Sequence, residues 1–179
     1  MAMTRLVALL RGVNVGGRNR LPMADWRALL QARGLARVAT YIQSGNAVFE
    51  ADEAPELLET QITDDIKARF GFAPGCCVLT AENLDTALAA NPFPEAVDAP
   101  KTLHLVFLRG AARLNAEAAS DACTADEAFQ MGQGVFYLYT PNGYGRSKLA
   151  ERLDRVLKAD LLTARNLSSC LKLQEMARA

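Results

Sequence analysis

The sequence predicts an α+β fold of two ferredoxin-like (βαββαβ-type) halves with additional C-terminal helices. Three observations carry that expectation. Within the first 80 residues the apolar periodicity switches in the order β-α-β-β-α-β, which a split βαβ unit requires. The segment Asn91–Lys101, NPFPEAVDAPK, carries three prolines and little periodicity, as a linker does. Beyond it the order of strand, helix and strand pair restarts, as in a duplicated unit. The expected domains are a first half over 1–90, a linker over 91–101, and a second half with its C-terminal helices over 102–179.

Leu6–Leu10 is a short apolar run ending at a glycine-containing loop, hence a buried strand. Met23, Trp26, Leu29 and Leu30 mark one face of a helix that Gly34 stops, with Pro22 at its first position. Arg37–Gln43 alternates, Ser44, Gly45 and Asn46 turn the chain, and Ala47–Glu50 returns, which is a β-hairpin pattern. Pro55 opens a helix in which Leu58, Ile62, Ile66 and Phe70 recur every four residues before Gly71. Cys76–Leu79 follows as a strand, then a helix over about Ala81–Ala90 with Thr80 as N-cap. After the linker, Thr102–Leu108 is strand-like, Ala111–Ala122 is alanine-rich and helical, and Ala128–Met131 pairs with Val135–Tyr139. Two helices, about Ser147–Leu157 and Ala164–Ala177, finish the chain, with ADLLT between them as a last edge strand.

Half of the 179 residues are hydrophobic, enough for a sizeable core. Twenty basic residues cancel twenty acidic ones, which argues against coating nucleic acid by bulk charge but leaves room for a local basic patch. Cys76, Cys77, Cys123 and Cys170 show no paired metal spacing, and the single histidine, His104, excludes a multi-histidine metal site. No metal and no particular cofactor is indicated. The opening run MAMTRLVALL has five consecutive apolar residues before Arg11, too few for a signal core or a membrane span, so a cytoplasmic protein without a membrane partner is expected.

Chemistry concentrates in three polar clusters. The first, RGVNVGGRNRLP over Arg11–Pro22, combines Gly12, Gly16 and Gly17 with Arg11, Arg18 and Arg20 ahead of a helix N-terminus, and Asn14 lies within it. Glycines let main-chain N–H groups approach a partner, guanidinium forks match phosphate, and a helix start favours negative charge. It matches neither common dinucleotide nor triphosphate motif, and the same residues equally describe a loop folded on its own sheet with solvated arginines. The second cluster is Gln43, Ser44, Gly45 and Asn46. The third holds Asn142, Tyr144, Arg146, Ser147 and Lys148, then Arg165, Asn166 and Lys172.

RGVNVGGRNRLPMADWRALL, TYIQSGNAVF, PNGYGRSKL and TARNLSSCLKL together resemble the bacterial family called domain of unknown function 1697, over nearly the whole chain. The resemblance implies an α+β fold and no established activity. It also implies a TRNW-N-T segment near the C-terminus; here Ala164-Arg165-Asn166-Leu167-Ser168-Ser169 retains Arg165 and Asn166 but replaces the aromatic and the second asparagine.

Three functional classes follow. The first is a module binding an anionic, phosphate-bearing ligand (nucleotide, phosphometabolite or short nucleic acid) at the Arg11–Pro22 loop. Its charge is neutralised by Arg11, Arg18, Arg20, Arg146, Lys148 and Arg165, and its polar edges are met by Asn14, Gln43, Ser44 and Asn46. The second is a phosphate-ester transferase or hydrolase with Ser147 as nucleophile and Lys148 or Tyr144 as partner. The third is a structural or dimerisation module.

Overall fold

The computed structural model describes residues 2–179. The chain divides into two compact units, one made of the residues up to Thr86 with Lys172–Ala179, the other of Ala87–Leu171. Among the described residues no helix is long and apolar enough to cross a membrane.

The first unit runs β1 (Thr4–Arg11), α1 (Met23–Ala32), β2 (Ala36–Tyr41), β3 (Asn46–Ala51), α2 (Pro55–Phe70), β4 (Gly75–Thr80) and the start of α3 (Ala81–Ala89). Its sheet has the order β2-β3-β1-β4 with every neighbouring pair antiparallel. β3 therefore lies between the two strands that α1 connects, the split βαβ of a ferredoxin-like unit. Leu6–Leu10 are all buried, which is why β1 reads as an unbroken apolar run. Leu6, Ala8 and Leu10 share one core with Trp26, Leu29 and Leu30 of α1 and Leu58, Ile62 and Ile66 of α2. Gly71 caps α2 at φ 82°, donating its N–H to Lys67 O at 3.0 Å. The Thr80 hydroxyl accepts from Asn83 N at 3.0 Å, the expected N-cap of α3. β2 stops at Tyr41, two residues short of expectation, because Ile42 turns to φ 49° and leaves the extended region. Pro22 precedes α1 as its N-cap rather than forming its first turn.

The second unit runs β5 (Leu103–Arg109), β6 (Arg113–Leu114), α4 (Ala116–Ala122), β7 (Ala128–Met131), β8 (Val135–Tyr139), α5 (Lys148–Glu151), α6 (Leu153–Val156), β9 (Leu157–Lys158), β10 (Leu161–Asn166) and the start of α7 (Leu167–Arg178). Its sheet order is β10-β5-β8-β7, again antiparallel throughout. Counted within the unit, its four long strands follow the same order as those of the first, so the two topologies repeat. The proline-bearing segment after α3 folds as two 3-10 turns, Pro94–Asp98 and Pro100–Thr102, with Ala96 fully buried.

Three elements of this unit differ from expectation, and at two of them a partner distant in sequence intervenes. The alanine-rich helix starts only at Ala116, since Arg113 and Leu114 pair with Lys158 and Leu157 and Asn115 caps it by accepting from Ala118 N at 3.0 Å. The stretch 147–157 breaks at Arg152 into α5 and α6. The last strand is six residues long and takes in Ala164, Arg165 and Asn166, where the sequence predicts a helix. Pairing of these residues with Val106, Leu105 and His104 overrides the helix preference of alanine and arginine.

Candidate functional site

The glycine loop is a small hairpin of its own. Arg18 N donates to Val15 O at 3.0 Å and Asn14 N to Asn19 O at 3.0 Å. The two residues between the arms are Gly16 and Gly17, at φ 59° and 73°, the left-handed pair a type I′ turn demands. Asn19 donates its side-chain amide to Gly12 O at 3.0 Å.

Asn14 ties this hairpin to the Gln43–Asn46 turn. Its Nδ2 donates to Leu21 O at 2.9 Å and to Gln43 O at 2.8 Å, and its Oδ1 accepts from Leu21 N at 2.8 Å. A second tie runs from Leu10 N to Gly45 O at 3.0 Å. Asn46, fully buried, donates to Tyr41 O at 3.1 Å and to Ser44 Oγ at 2.9 Å. The first two sequence clusters thus form one platform. Within it Asn14 and Asn46 bind backbone and a neighbouring side chain, so they position the loops instead of offering amides to a ligand.

What the platform offers is positive charge. Gly16, Gly17, Arg18, Arg20 and Gln43 are exposed, and Arg11 is half-buried at the end of β1. Elsewhere in this unit arginines meet acids: Arg33 meets Asp65 at 2.6 Å and Arg37 meets Glu50 at 2.7 Å. Arg18 and Arg20 have no carboxylate partner among the described residues. Neither has Arg27, exposed on α1, whose Nη2 donates to Thr40 Oγ1 at 3.4 Å and so lies two residues from Ile42. No motif marks Arg27, which sits inside an ordinary amphipathic helix. A signal for it exists: residues 1–49 hold seven arginines and one acid, Asp25, in a chain whose total charge is zero. Asp25 itself lies 3.8 Å from Arg69.

The third cluster belongs to the second unit, apart from Lys172. Tyr144 stacks on His104, ring centroids 3.8 Å apart and planes 28° from parallel. Burial holds the His104 imidazole at a pKa of about 4, well below its usual 6.5, and its buried Nδ1 meets no hydrogen-bond partner among the described residues. Ser147 is buried, and its Oγ accepts from Ala150 N at 3.1 Å as the N-cap of α5. Arg146 and Lys148 are exposed. Arg165 is buried, its Nη1 donating to Thr163 Oγ1 and to Ala164 O, both at 2.9 Å. Asn166 caps α7, accepting from Ser169 N at 2.8 Å. Lys172 pairs with Glu175 at 3.2 Å along that helix. Burial, opposed by the charge of Arg165, pushes the Cys170 thiol up to about 12, so it stays protonated.

Comparison with known proteins supports the fold and the family. The fold is similar to that of the conserved bacterial protein SP0830 from Streptococcus pneumoniae, 26% identical in sequence, with a TM-score of 0.74 over 98% of this chain and 99% of that one. No curated protein matches the chain. The family described as Protein of unknown function (DUF1697) matches residues 3–137, three quarters of the sequence, and the chain belongs to that family.

Proposed function

We propose that the protein binds an anionic, phosphate-bearing ligand at the Arg11–Pro22 loop. One observation carries the reading: a hairpin locked by Asn14 to Leu21 and Gln43 holds Arg18 and Arg20 in solvent, away from any carboxylate among the described residues. A loop already fixed by its own hydrogen bonds loses little entropy when a ligand docks. Guanidinium groups lacking an internal partner keep their donors for phosphate oxygens.

The test is titration of inorganic pyrophosphate and a nucleoside triphosphate, read by thermal shift and calorimetry. Ligand at a hundred times its dissociation constant should add about 2.7 kcal/mol of stability. In the double variant Arg18→Ala, Arg20→Ala the affinity should fall at least about tenfold, the equivalent of roughly 1.4 kcal/mol and the low end for a hydrogen bond to a charged group. An affinity equal to that of the unaltered protein overturns the reading.

The alternative enzymatic reading gains less support. Ser147 Oγ already serves the helix cap, and Lys148 stands in water, whereas a lysine that activates a serine must be desolvated.

A further inference from the structure

Resting on that reading, we infer that the occupant of the platform is single-stranded nucleic acid, its phosphates on Arg18, Arg20 and Arg27 and its unpaired bases against Val15 and Ile42. Those two aliphatic side chains are among the most exposed large hydrophobics of the described residues, at 64% and 48%. Each lies one residue from the Asn14–Gln43 hydrogen bond, so the same tie that fixes the arginines fixes both apolar groups beside them.

Ligand classes differ in how much of this surface they use. Residues 15–20 all stand in solvent, so a lone phosphate there keeps most of its hydration and gains little from a single exposed charge. A phosphodiester backbone spans several arginines and releases counterions at each. Inorganic phosphate and sugar phosphates leave Val15 and Ile42 wet. A duplex hides its base faces in the stack, whereas an unpaired strand exposes the flat apolar face of every base, which Val15 and Ile42 can cover where other single-strand binders use aromatic rings. Ile42 adds a second reason. A β-branched residue at φ 49° is conformationally costly, and asparagine would sit there with less strain. The strained backbone therefore holds an aliphatic group in solvent where a polar residue would fit better. Because the Asn14 and Asn46 amides are engaged within the platform, base edges meet few fixed donors and binding is tolerant of sequence.

The experiment is fluorescence anisotropy on the full chain with a short labelled oligothymidylate, with the same strand in duplex, and with pyrophosphate and polyglutamate as competitors. The single strand should bind more tightly than the duplex, and its affinity should fall roughly 20-fold between about 50 and 200 mM salt, as three neutralised phosphates dictate. Val15→Ser with Ile42→Asn should lower strand affinity about tenfold relative to that variant's own pyrophosphate affinity. A thermal melt of Ile42→Asn no lower than that of the unaltered protein shows that the loss is not unfolding. Pyrophosphate binding without a preference for the single strand, or without the Val15 and Ile42 effect, overturns this inference and leaves the anion site standing. Displacement of the strand by polyglutamate at equal charge overturns it in favour of an acidic protein partner. If neither pyrophosphate nor the strand binds, both readings fall.

Discussion

Replacing Gly45 with alanine should destabilise the first unit by about 2–5 kcal/mol, and the figure can be built from two separate costs. Gly45 has φ 82°, so any Cβ meets the left-handed penalty of about 1–2 kcal/mol. That Cβ would also lie 2.7 Å from Leu10 Cβ and 2.8 Å from Val13 Cγ2. Neither atom is the loose end of a long chain. Leu10 Cβ moves only with the β1 backbone, whose N–H is itself bonded to Gly45 O at 3.0 Å. Forcing two buried aliphatics apart adds about 1–3 kcal/mol. Gly12→Ala supplies the control: φ is 74° and a Cβ there meets nothing within 4 Å, so it should cost the torsional share alone. Urea denaturation of both variants, fitted with a common slope, measures the difference. In a thermal scan each kcal/mol should lower Tm by about 2–4 °C for a chain of this size. If Gly45→Ala loses no more stability than Gly12→Ala, the close approach of turn and strand at this point is refuted.

Asn14→Ala removes three hydrogen bonds and the residue type suited to φ 55°, and should cost about 2–4 kcal/mol by urea denaturation, with faster hydrogen exchange at the Leu21 amide. His104 is more readily protonated unfolded than folded, because burial lowers its pKa from 6.5 to about 4. Its neutral form favours the fold fully above pH 6.5, and that contribution, up to about 3 kcal/mol, is lost as pH falls towards 4. His104→Gln should therefore flatten the acid side of the stability profile in that window; an unchanged slope in pH-dependent denaturation contradicts the assignment. Ser147→Ala and Asn166→Ala each remove an N-cap and should cost about 1 kcal/mol, whereas a nucleophilic Ser147 would show its loss in activity with stability intact.

Where local pattern and tertiary demand agreed, the fold was legible. α2 announced itself through Leu58, Ile62 and Ile66 at four-residue spacing between Pro55 and Gly71, and all three are fully buried. The boundary between β10 and α7 was not legible from composition, because Ala164 and Arg165 favour helix and only pairing with β5 holds them extended. Asn166 carried the usable clue, an N-cap residue directly before an amphipathic run. At the platform, the glycines correctly signalled a turn. The roles of its amides were hidden, since the Asn14 bond to Gln43 joins residues 29 apart in sequence. Arg27 was hidden differently, as one polar residue on a helix whose other face packs Trp26, Leu29 and Leu30.

Residues 172–179 complete the first unit, and this imposes an order on synthesis. The four strands of that unit have all left the ribosome once Thr80 emerges. Their partners have not. Arg5 donates to Met176 O at 3.1 Å, Arg37 to Ala179 O at 2.6 Å, and Asp85 accepts from Gln174 at 2.6 Å and Arg178 at 3.2 Å. The stretch Ala87–Leu171 must be made in between, a delay of about 4–17 s at elongation rates of about 5–20 residues per second. Throughout that interval Arg5 and Arg37 lack their Met176 and Ala179 acceptors, and the first unit is completed only when residues 172–179 arrive.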